Sequence, residues 1–514
     1  THSRCYAYAM KFDASSQTGS RRLQRFAYLW SALATCAFLV GCNSGAARRD
    51  VAISFSDCRI KHIDSLVRCS MVAVPEDHAL AAKPDAKTIK IQVVVIPSLS
   101  RNPQPDPVYF FAGGPGQAAS DIGNLVAAHG ELRKTRDIVL VDQRGTGKSK
   151  TLTCDSDGAK GKDKPDAVTE ALTASLDKVD SEWAKCIATL KGNPALHRTD
   201  DYIDDLEFVR KALKHDQINV WGGSYGSRVA LRYMKRYPQR IRTAVLDGVA
   251  PTTLRLPDDA LASSELELRA VFAACAASMA CSAAYPDALA SFDSLVNSLR
   301  AKPKNISIAH PATGKAIDAT VSDRTLVSQL WALLYQPEAA RLVPTIVNQA
   351  ARDNFAPLAA TMTAANVGEA EIAVAQRFAV MCAEDMLGRS PAPNARFQSV
   401  TDMFYGFCKT LPHGKVAPEF FEPTTSSIPT LLLSGSHDPV TPPSQAALAA
   451  KTLSKSKHII VNGMGHIVSH QPCARRVVGK FVTAGSIDAA SDACEKELSM
   501  PRPLFYVSPL EAKP

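Results

Sequence analysis

The chain of 514 residues lacks a basic tract, internal repeats and any long low-complexity linker. Its 59 Lys and Arg against 50 Asp and Glu leave a net charge of +9, but the cations are scattered, which argues against a dedicated nucleic-acid surface. None of the 13 cysteines forms a Cys-x-x-Cys pair or joins histidines at zinc spacing, so neither a metal nor another cofactor is expected. A spanning helix needs ~20 apolar residues, and the apolar stretch from Phe26 to Val40 falls short of that. A true phosphate loop is lacking as well. Val141-Asp142-Gln143-Arg144-Gly145-Thr146-Gly147-Lys148-Ser149 ends in Gly-Lys-Ser after a strand-like run, but Asp142 stands where the first glycine of Gly-x-x-x-x-Gly-Lys-Ser belongs. A carboxylate there repels phosphate and spoils the backbone nest, so the loop is not a nucleotide site.

What is present describes an exported globular protein. Hydrophobic residues make up 46% and charged ones 21%, and the length suits two domains or one large domain with an insertion. Arg21, Arg22 and Arg25 precede the apolar run, which closes on Leu39-Val40-Gly41-Cys42. This resembles a bacterial lipoprotein signal with Cys42 as the lipidated residue; an ordinary cleaved signal or a short anchor is the alternative. Residues before Met10 read as upstream sequence, and 1–42 are set apart from the fold. Asn43 after the cysteine points to the outer membrane, on the periplasmic side. Ten cysteines remain: Cys58, Cys69, Cys154, Cys186, Cys275, Cys281, Cys382, Cys408, Cys473 and Cys494. They fall as five close neighbours, as suits an oxidising compartment. Nearest-neighbour disulfides are expected, although spacing alone leaves the connectivity open.

From about Ser65 the chain alternates strand-like and helix-like segments. SMVAVP (70–75) and IKIQVVVIP (89–97) are β-branched runs bounded by proline. PVYFFAGGPG (107–116), DIVLVDQRG (137–145), INVWGG (218–223), TAVLDGVAP (243–251), PTLLLSGSHDP (429–439) and KHIIVNGMGH (457–466) are short apolar runs ending in turns. Strands buried on both faces read this way. Ile203, Leu206, Val209 and Leu213 recur at helical spacing between two of them. An α/β sheet with crossover helices is the expected fold. Its first part spans 50–250 and its last 428–514. Between them, 251–427 is Ala-rich and helical in period, and reads as a cap inserted late in the sheet.

Gly222-Gly223-Ser224-Tyr225-Gly226 follows a predicted strand and opens a predicted helix. That is the Gly-x-Ser-x-Gly turn on which a nucleophilic serine is held in strained geometry. Such a serine needs an acid and then a histidine, on turns after later strands. Asp438 and His466 occupy those turns. His466 would take the serine proton, and Asp438 would fix the imidazole tautomer. Asp247, also at a strand end, is the alternative acid. His437 is a weaker competitor for the base, because it precedes the acid. The Ala112-Gly113-Gly114-Pro115-Gly116 turn follows an earlier strand, where this architecture draws one oxyanion donor. Gly114 N–H and Tyr225 N–H are the expected pair; Pro115 has none to give.

Taken together, GGPG, VDQRGTGKS, GGSYG, SGSHDPVTP and GMGH resemble the prolyl/tripeptidyl aminopeptidase family of α/β-hydrolases. The match covers about 50–500 and is closest to exported members with a tripeptidyl-aminopeptidase-like C-terminal region. Ala112 replaces the histidine that prolyl iminopeptidases often carry before Gly-Gly-Pro-Gly, which weakens the prolyl assignment more than the hydrolase one. The resemblance implies an α/β-hydrolase fold with a mainly helical cap, and a serine exopeptidase acting on short peptides through an acyl-enzyme. An esterase on the same scaffold is the alternative. The resemblance also implies a carboxylate that receives the substrate's free amine. Glu384, next to Asp385 and beside an expected Cys382–Cys408 bridge, is the candidate.

Overall fold

A computed structural model describes residues 53–61, 63–154, 176–310, 313–366, 372–490, 494 and 505. The signal-like segment, with Cys42 and Asn43, lies outside the described residues. Nine strands form one sheet: β1 (Ser56–Cys58), β2 (Val67–Pro75), β3 (Thr88–Ile96), β4 (Val108–Phe111), β5 (Ile138–Val141), β6 (Ile218–Gly223), β7 (Ile241–Asp247), β10 (Thr430–Gly435) and β11 (Ser456–Val461). Their order is β1-β2-β3-β5-β4-β6-β7-β10-β11. The alternation predicted from the sequence holds from β4 onward, where β5, β4, β6, β7, β10 and β11 pair in parallel. The first strands differ: β1, β2, β3 and β5 pair antiparallel. The link from Pro75 to Thr88 holds only the turn His78–Leu80, with no helix to carry the chain across the sheet face. A parallel crossover needs a dozen or more residues, usually a helix.

Strand geometry sends alternate side chains to opposite faces. Accordingly Val93, Val95, Tyr109, Phe111, Val139 and Val141 pack on one face, and Val94, Ile96, Val108, Phe110, Ile138 and Leu140 on the other. Helix α1 (Thr199–Ala212) covers the first face with Tyr202, Ile203, Leu206 and Val209, joined by α2 (Tyr225–Arg236) through Val229, Ala230 and Tyr233. The helical spacing of Ile203, Leu206 and Val209 seen in the sequence is the stripe that does this.

Between β7 and β10 the chain leaves the sheet. This insert contains α3 (Asp258–Ala277), α4 (Asp323–Leu334), α5 (Val374–Glu384) and α6 (Gln398–Thr410), with further helices. It also holds an antiparallel hairpin of β8 (Lys304–Ala309) and β9 (Ala316–Val321), which the helical period did not foretell. Leu268, Phe272, Phe292, Leu330, Phe378 and Phe397 build a separate core, joined by Leu152 and Trp183 from before β6. Ser322 starts α4 as a capping box with Thr325, which satisfies helix donors that otherwise lack partners. After β11 comes α7 (Pro472–Ala484), packed on the second face through Val477, Val478 and Phe481.

Five disulfides join the ten cysteines as sequence neighbours: Cys58–Cys69, Cys154–Cys186, Cys275–Cys281, Cys382–Cys408 and Cys473–Cys494. Such bonds persist in oxidising compartments outside the cytosol. Among the described residues no helix is long and apolar enough to cross a membrane.

Candidate active site

Strand β6 lies inside the sheet between β4 and β7, and Ser224 stands at its exit. Its backbone has φ 54° and ψ −124°, a region that costs a non-glycine residue about 1–3 kcal/mol. The neighbourhood enforces this. Ser224 N–H donates to the Asp247 carbonyl at 2.8 Å, and the Ser224 carbonyl accepts from Ser227 N–H at 2.9 Å and Ser227 Oγ at 2.6 Å. The flanking glycines are steric requirements. A Cβ on Gly226 would stand 2.0 Å from the Phe111 carbonyl oxygen, and one on Gly222 2.1 Å from that of Gly226. Gly223 meets nothing closer than 3.6 Å, so only the two motif glycines are compelled.

Asp438 and His466 lie on the turns after β10 and β11. His466 Nδ1 and Asp438 Oδ2 are 2.8 Å apart, and both residues are buried. Asp438 is saturated. Its Oδ1 accepts from the N–H groups of Val440 (2.9 Å) and Thr441 (2.8 Å), and its Oδ2 also accepts from Thr441 Oγ1 (2.8 Å). Burial alone would raise its carboxyl, but the His466 charge and these donors hold it below the usual carboxylate range. Burial alone would lower His466. The Asp438 charge and hydrogen bond, with Asp247 contributing, lift it above its ordinary value. An ionised acid on Nδ1 leaves Nε2 as the acceptor of a proton. Among the described residues Ser224 Oγ makes no direct hydrogen bond to His466; such bonds often tighten only with substrate present.

The competing residues are placed elsewhere. Asp247 accepts from the N–H groups of Val468 (3.1 Å) and Ser469 (2.7 Å), so it holds the segment following His466 and does not bond the imidazole. Burial raises its carboxyl. His437 is bonded to Glu267 in α3 at 2.9 Å. Glu384 was expected at the amine end of a substrate; its carboxylate is buried behind the elbow. It accepts from Thr199 N–H (2.6 Å) and Thr199 Oγ1 (2.8 Å) and lies 3.4 Å from Arg228, which also reaches Asp385 at 3.0 Å. Burial pushes Glu384 up to about 7 and Asp385 to about 6 against the pull of Arg228.

A cavity of about 40 Å³ lies over Ser224, room for one or two waters. Gly114 and Tyr225 share its wall with Ser224, and the Gly-Gly-Pro-Gly loop passes close: a Cβ on Gly113 would stand 3.1 Å from Ser224 Cβ. The Gly113 N–H is already taken by Gln117 Oε1 at 3.2 Å. The insert supplies much of the remaining wall through Leu256, Trp331, Tyr335, Met381 and Phe404. Arg377 is the one charged side chain on that wall, among the described residues.

Two contacts of the site escaped sequence reasoning. Thr441 lies 3.2 Å from His466 Nδ1 while bonding Asp438. Its signal was readable, since an Asp commonly binds backbone and hydroxyl groups two or three residues onward. Tyr335, at the end of α4, accepts His466 N–H on its carbonyl at 3.0 Å and sets its ring edge-on at 5.2 Å. Nothing local announces that contact.

A serine on a strained strand-to-helix turn, over a parallel sheet whose later turns carry a bonded Asp–His pair, defines a hydrolase of the serine type. The α/β hydrolase fold model matches residues 106–471, and the chain belongs to that family. Over 527 aligned residues it is 25% identical to serine protease Hip1 of Mycobacterium tuberculosis, covering 92% of this chain and 98% of that protein. It is 29% identical to a tripeptidyl aminopeptidase of Streptomyces lividans over 41% of this chain and 40% of that one. A proline iminopeptidase of Neisseria meningitidis is 29% identical over 29% of this chain and 34% of its own length.

Proposed function

We propose that the protein is a serine exopeptidase that releases N-terminal residues, of the Pro/Ala type or as a tripeptide, from short peptides. The observation that carries the reading is the His466–Asp438 pair at 2.8 Å on the turns beside the elbow of Ser224. Ser224 Oγ attacks the scissile carbonyl while His466 Nε2 takes its proton. The tetrahedral oxyanion receives the N–H groups of Gly114 and Tyr225. His466 then protonates the leaving amine, and water resolves the acyl-enzyme by the same steps. The insert over the serine admits chain ends and excludes folded proteins. The names of the relatives support peptide substrates, and those of the two shorter matches support attack at the N-terminus. Export, with a lipid on Cys42 holding the protein at the outer membrane, belongs to the same reading. Cys42→Ala should then move the protein from the membrane pellet to the soluble fraction, and an unchanged distribution would remove the anchor.

One observation favours a second reading. The cavity wall carries no carboxylate among the described residues, whereas a free amine calls for one. An esterase, or a peptidase indifferent to N-terminal blocking, needs no such group. The deciding assay compares Pro-, Ala- and Ala-Ala-Pro-aminocoumarin amides with their N-acetylated forms and with p-nitrophenyl esters, using Ser224→Ala as the blank. Cleavage of free-amine amides alone establishes the aminopeptidase and its unit length. Equal cleavage of blocked amides rules out N-terminal recognition, and turnover of esters alone establishes the esterase.

A further inference from the structure

The turn that mimics a phosphate loop is buried: Asp142, Gln143 and Arg144 are each at most 3% exposed, and each reaches a different part of the molecule. Arg144 is the anchor. Its Nε and Nη2 donate to Asp205 on α1 at 2.8 and 2.6 Å, its Nη1 to the carbonyls of Glu76 (2.8 Å) and Leu196 (2.7 Å), and its Nη2 to that of Pro75 (3.3 Å). Every donor of the guanidinium is placed. The turn is closed on itself by Gly145 N–H to the Ser149 carbonyl (2.8 Å), and Ser149 Oγ accepts from Gln92 N–H in β3 at 2.8 Å. So fixed, the turn can hold other parts in place.

Two arms leave it. Asp142 accepts Ser120 N–H on Oδ1 and Ser120 Oγ–H on Oδ2, both at 2.8 Å. Ser120 lies in the first turn after the Gly-Gly-Pro-Gly loop, whose three glycines have no side chains with which to anchor themselves. Gln143 Nε2 donates to the Tyr225 hydroxyl at 3.2 Å, which lies 2.7 Å from Thr199 Oγ1. Thr199 Oγ1 in turn donates to Glu384 Oε2. Its proton being committed there, Thr199 accepts from Tyr225, which accepts from Gln143. All protons in this chain point toward the Glu384 carboxylate, and Tyr225 is pinned at the far end of its ring. One arm therefore ends on the loop of Gly114 and the other on Tyr225.

We propose that the Asp142-Gln143 turn is a positioning element that keeps the two oxyanion donors in register, through Ser120 on one side and the Tyr225–Thr199–Glu384 chain on the other. The proposal rests on the oxyanion assignment made under Proposed function. Its physical basis is the narrow tolerance of such a hole: donors must sit within about 2.7–3.1 Å of the oxyanion, and a misplacement of about 1 Å costs up to about a hundredfold in rate. Glu384 thereby has a role behind the elbow that needs no contact with substrate.

The test uses the full mature protein with Tyr225→Phe, Ser120→Ala, Gln143→Met and the doubles Gln143→Met/Tyr225→Phe and Ser120→Ala/Tyr225→Phe. The readouts are kcat and KM on the best coumarin amide, Ki for an alanyl boronic acid that forms a tetrahedral adduct, and Tm. Tyr225→Phe and Ser120→Ala should each lower kcat by about tenfold with KM unchanged, and weaken the boronate by the same factor. Gln143→Met should add nothing to Tyr225→Phe, because it acts through that hydroxyl, whereas Ser120→Ala should multiply with it. Wild-type kcat and Ki in folded variants, or a loss confined to KM, would overturn the proposal. Should Tyr225→Phe fail to fold, Ser120→Ala carries the test, since it removes one hydroxyl and keeps the backbone donor. Turnover by Ser224→Ala would sink the underlying serine mechanism; an inactive Ser224→Ala beside unaffected Tyr225, Ser120 and Gln143 variants would sink only the positioning role.

Discussion

The sheet and the insert contribute to the site in different ways. The sheet presents Ser224, Asp438 and His466 on turns after β6, β10 and β11; Ser224 and Asp438 are fixed by backbone hydrogen bonds within a few residues or from the adjoining strand, while His466 N–H reaches the Tyr335 carbonyl in the insert. The insert presents Leu256, Trp331, Tyr335, Met381 and Phe404 from four separate segments that meet through a packed core, to which Trp183 from before β6 also contributes. On the proposed mechanism the first supplies the chemistry and the second shapes what reaches it. Chemistry of this kind sits on rigid strand ends, while selectivity resides in the part free to vary around them.

The largest expected effect lies on the sheet side. Ser224→Ala and His466→Ala should each lower kcat/KM on the order of 10⁵–10⁶-fold with Tm little changed, because members of such a unit fail together. Steady-state kinetics with a calorimetric scan checks both. Asp438→Asn should cost on the order of 10⁴-fold, and Asp247→Asn far less, since Asp247 bonds the backbone after His466 and not the ring. The pH profile sharpens this. Activity needs neutral His466, so kcat/KM rises with pH through an ionisation held above the ordinary histidine value by Asp438. Asp438→Asn removes that charge and should shift the limb to lower pH. Equal losses in the two Asn variants would mean that the acid has been misassigned.

On the insert side, Trp331→Ala or Phe404→Ala should change KM and the preferred acyl group by about tenfold while kcat on the best remaining substrate moves less. A kcat collapse with unchanged preference would erase the division between the two halves. The smallest effect concerns Glu384 and stability. Its folded value of about 7 lies above the ordinary 4.5, so native protein holds the proton more tightly than unfolded chain. That contribution is fully present below about pH 4.5 and is lost as pH rises through about 7. Relative to wild type, Glu384→Gln should flatten the decline of Tm over this window by about a degree or two, measured by thermal scans at stepped pH.

The same contrast explains what the sequence made legible. The elbow, acid and histidine each announce themselves within ten residues, because an apolar strand followed by a glycine-bearing turn is a local pattern. The same logic points to Gly114, which shares the cavity wall with Ser224. Glu384 shows where this stops. Beside Asp385 and a cysteine it read as a ligand-facing carboxylate, yet Thr199 and Arg228 meet it from positions 185 and 156 residues away. Burial decided by such distant partners leaves no periodic trace. Likewise β2 and β3 look like strands of any sheet, and only the lack of a helix between them hints at the antiparallel start. Tyr335 against His466 had no local sign at all.

The five disulfides have a consequence for how the protein is made. Their sequence separations run from 6 to 32, and none joins a residue before β7 to one after it. A chain threaded through a translocation pore N-terminus first can close each bridge as its second cysteine emerges, four of the five before β10 and β11 exist on the far side. No cysteine must wait for a distant mate, so little reshuffling by an isomerase is required. Nor does any bridge clamp the insert onto the sheet. The two are held together by packing and by polar contacts such as Glu384 with Thr199 and Asp385 with Arg228.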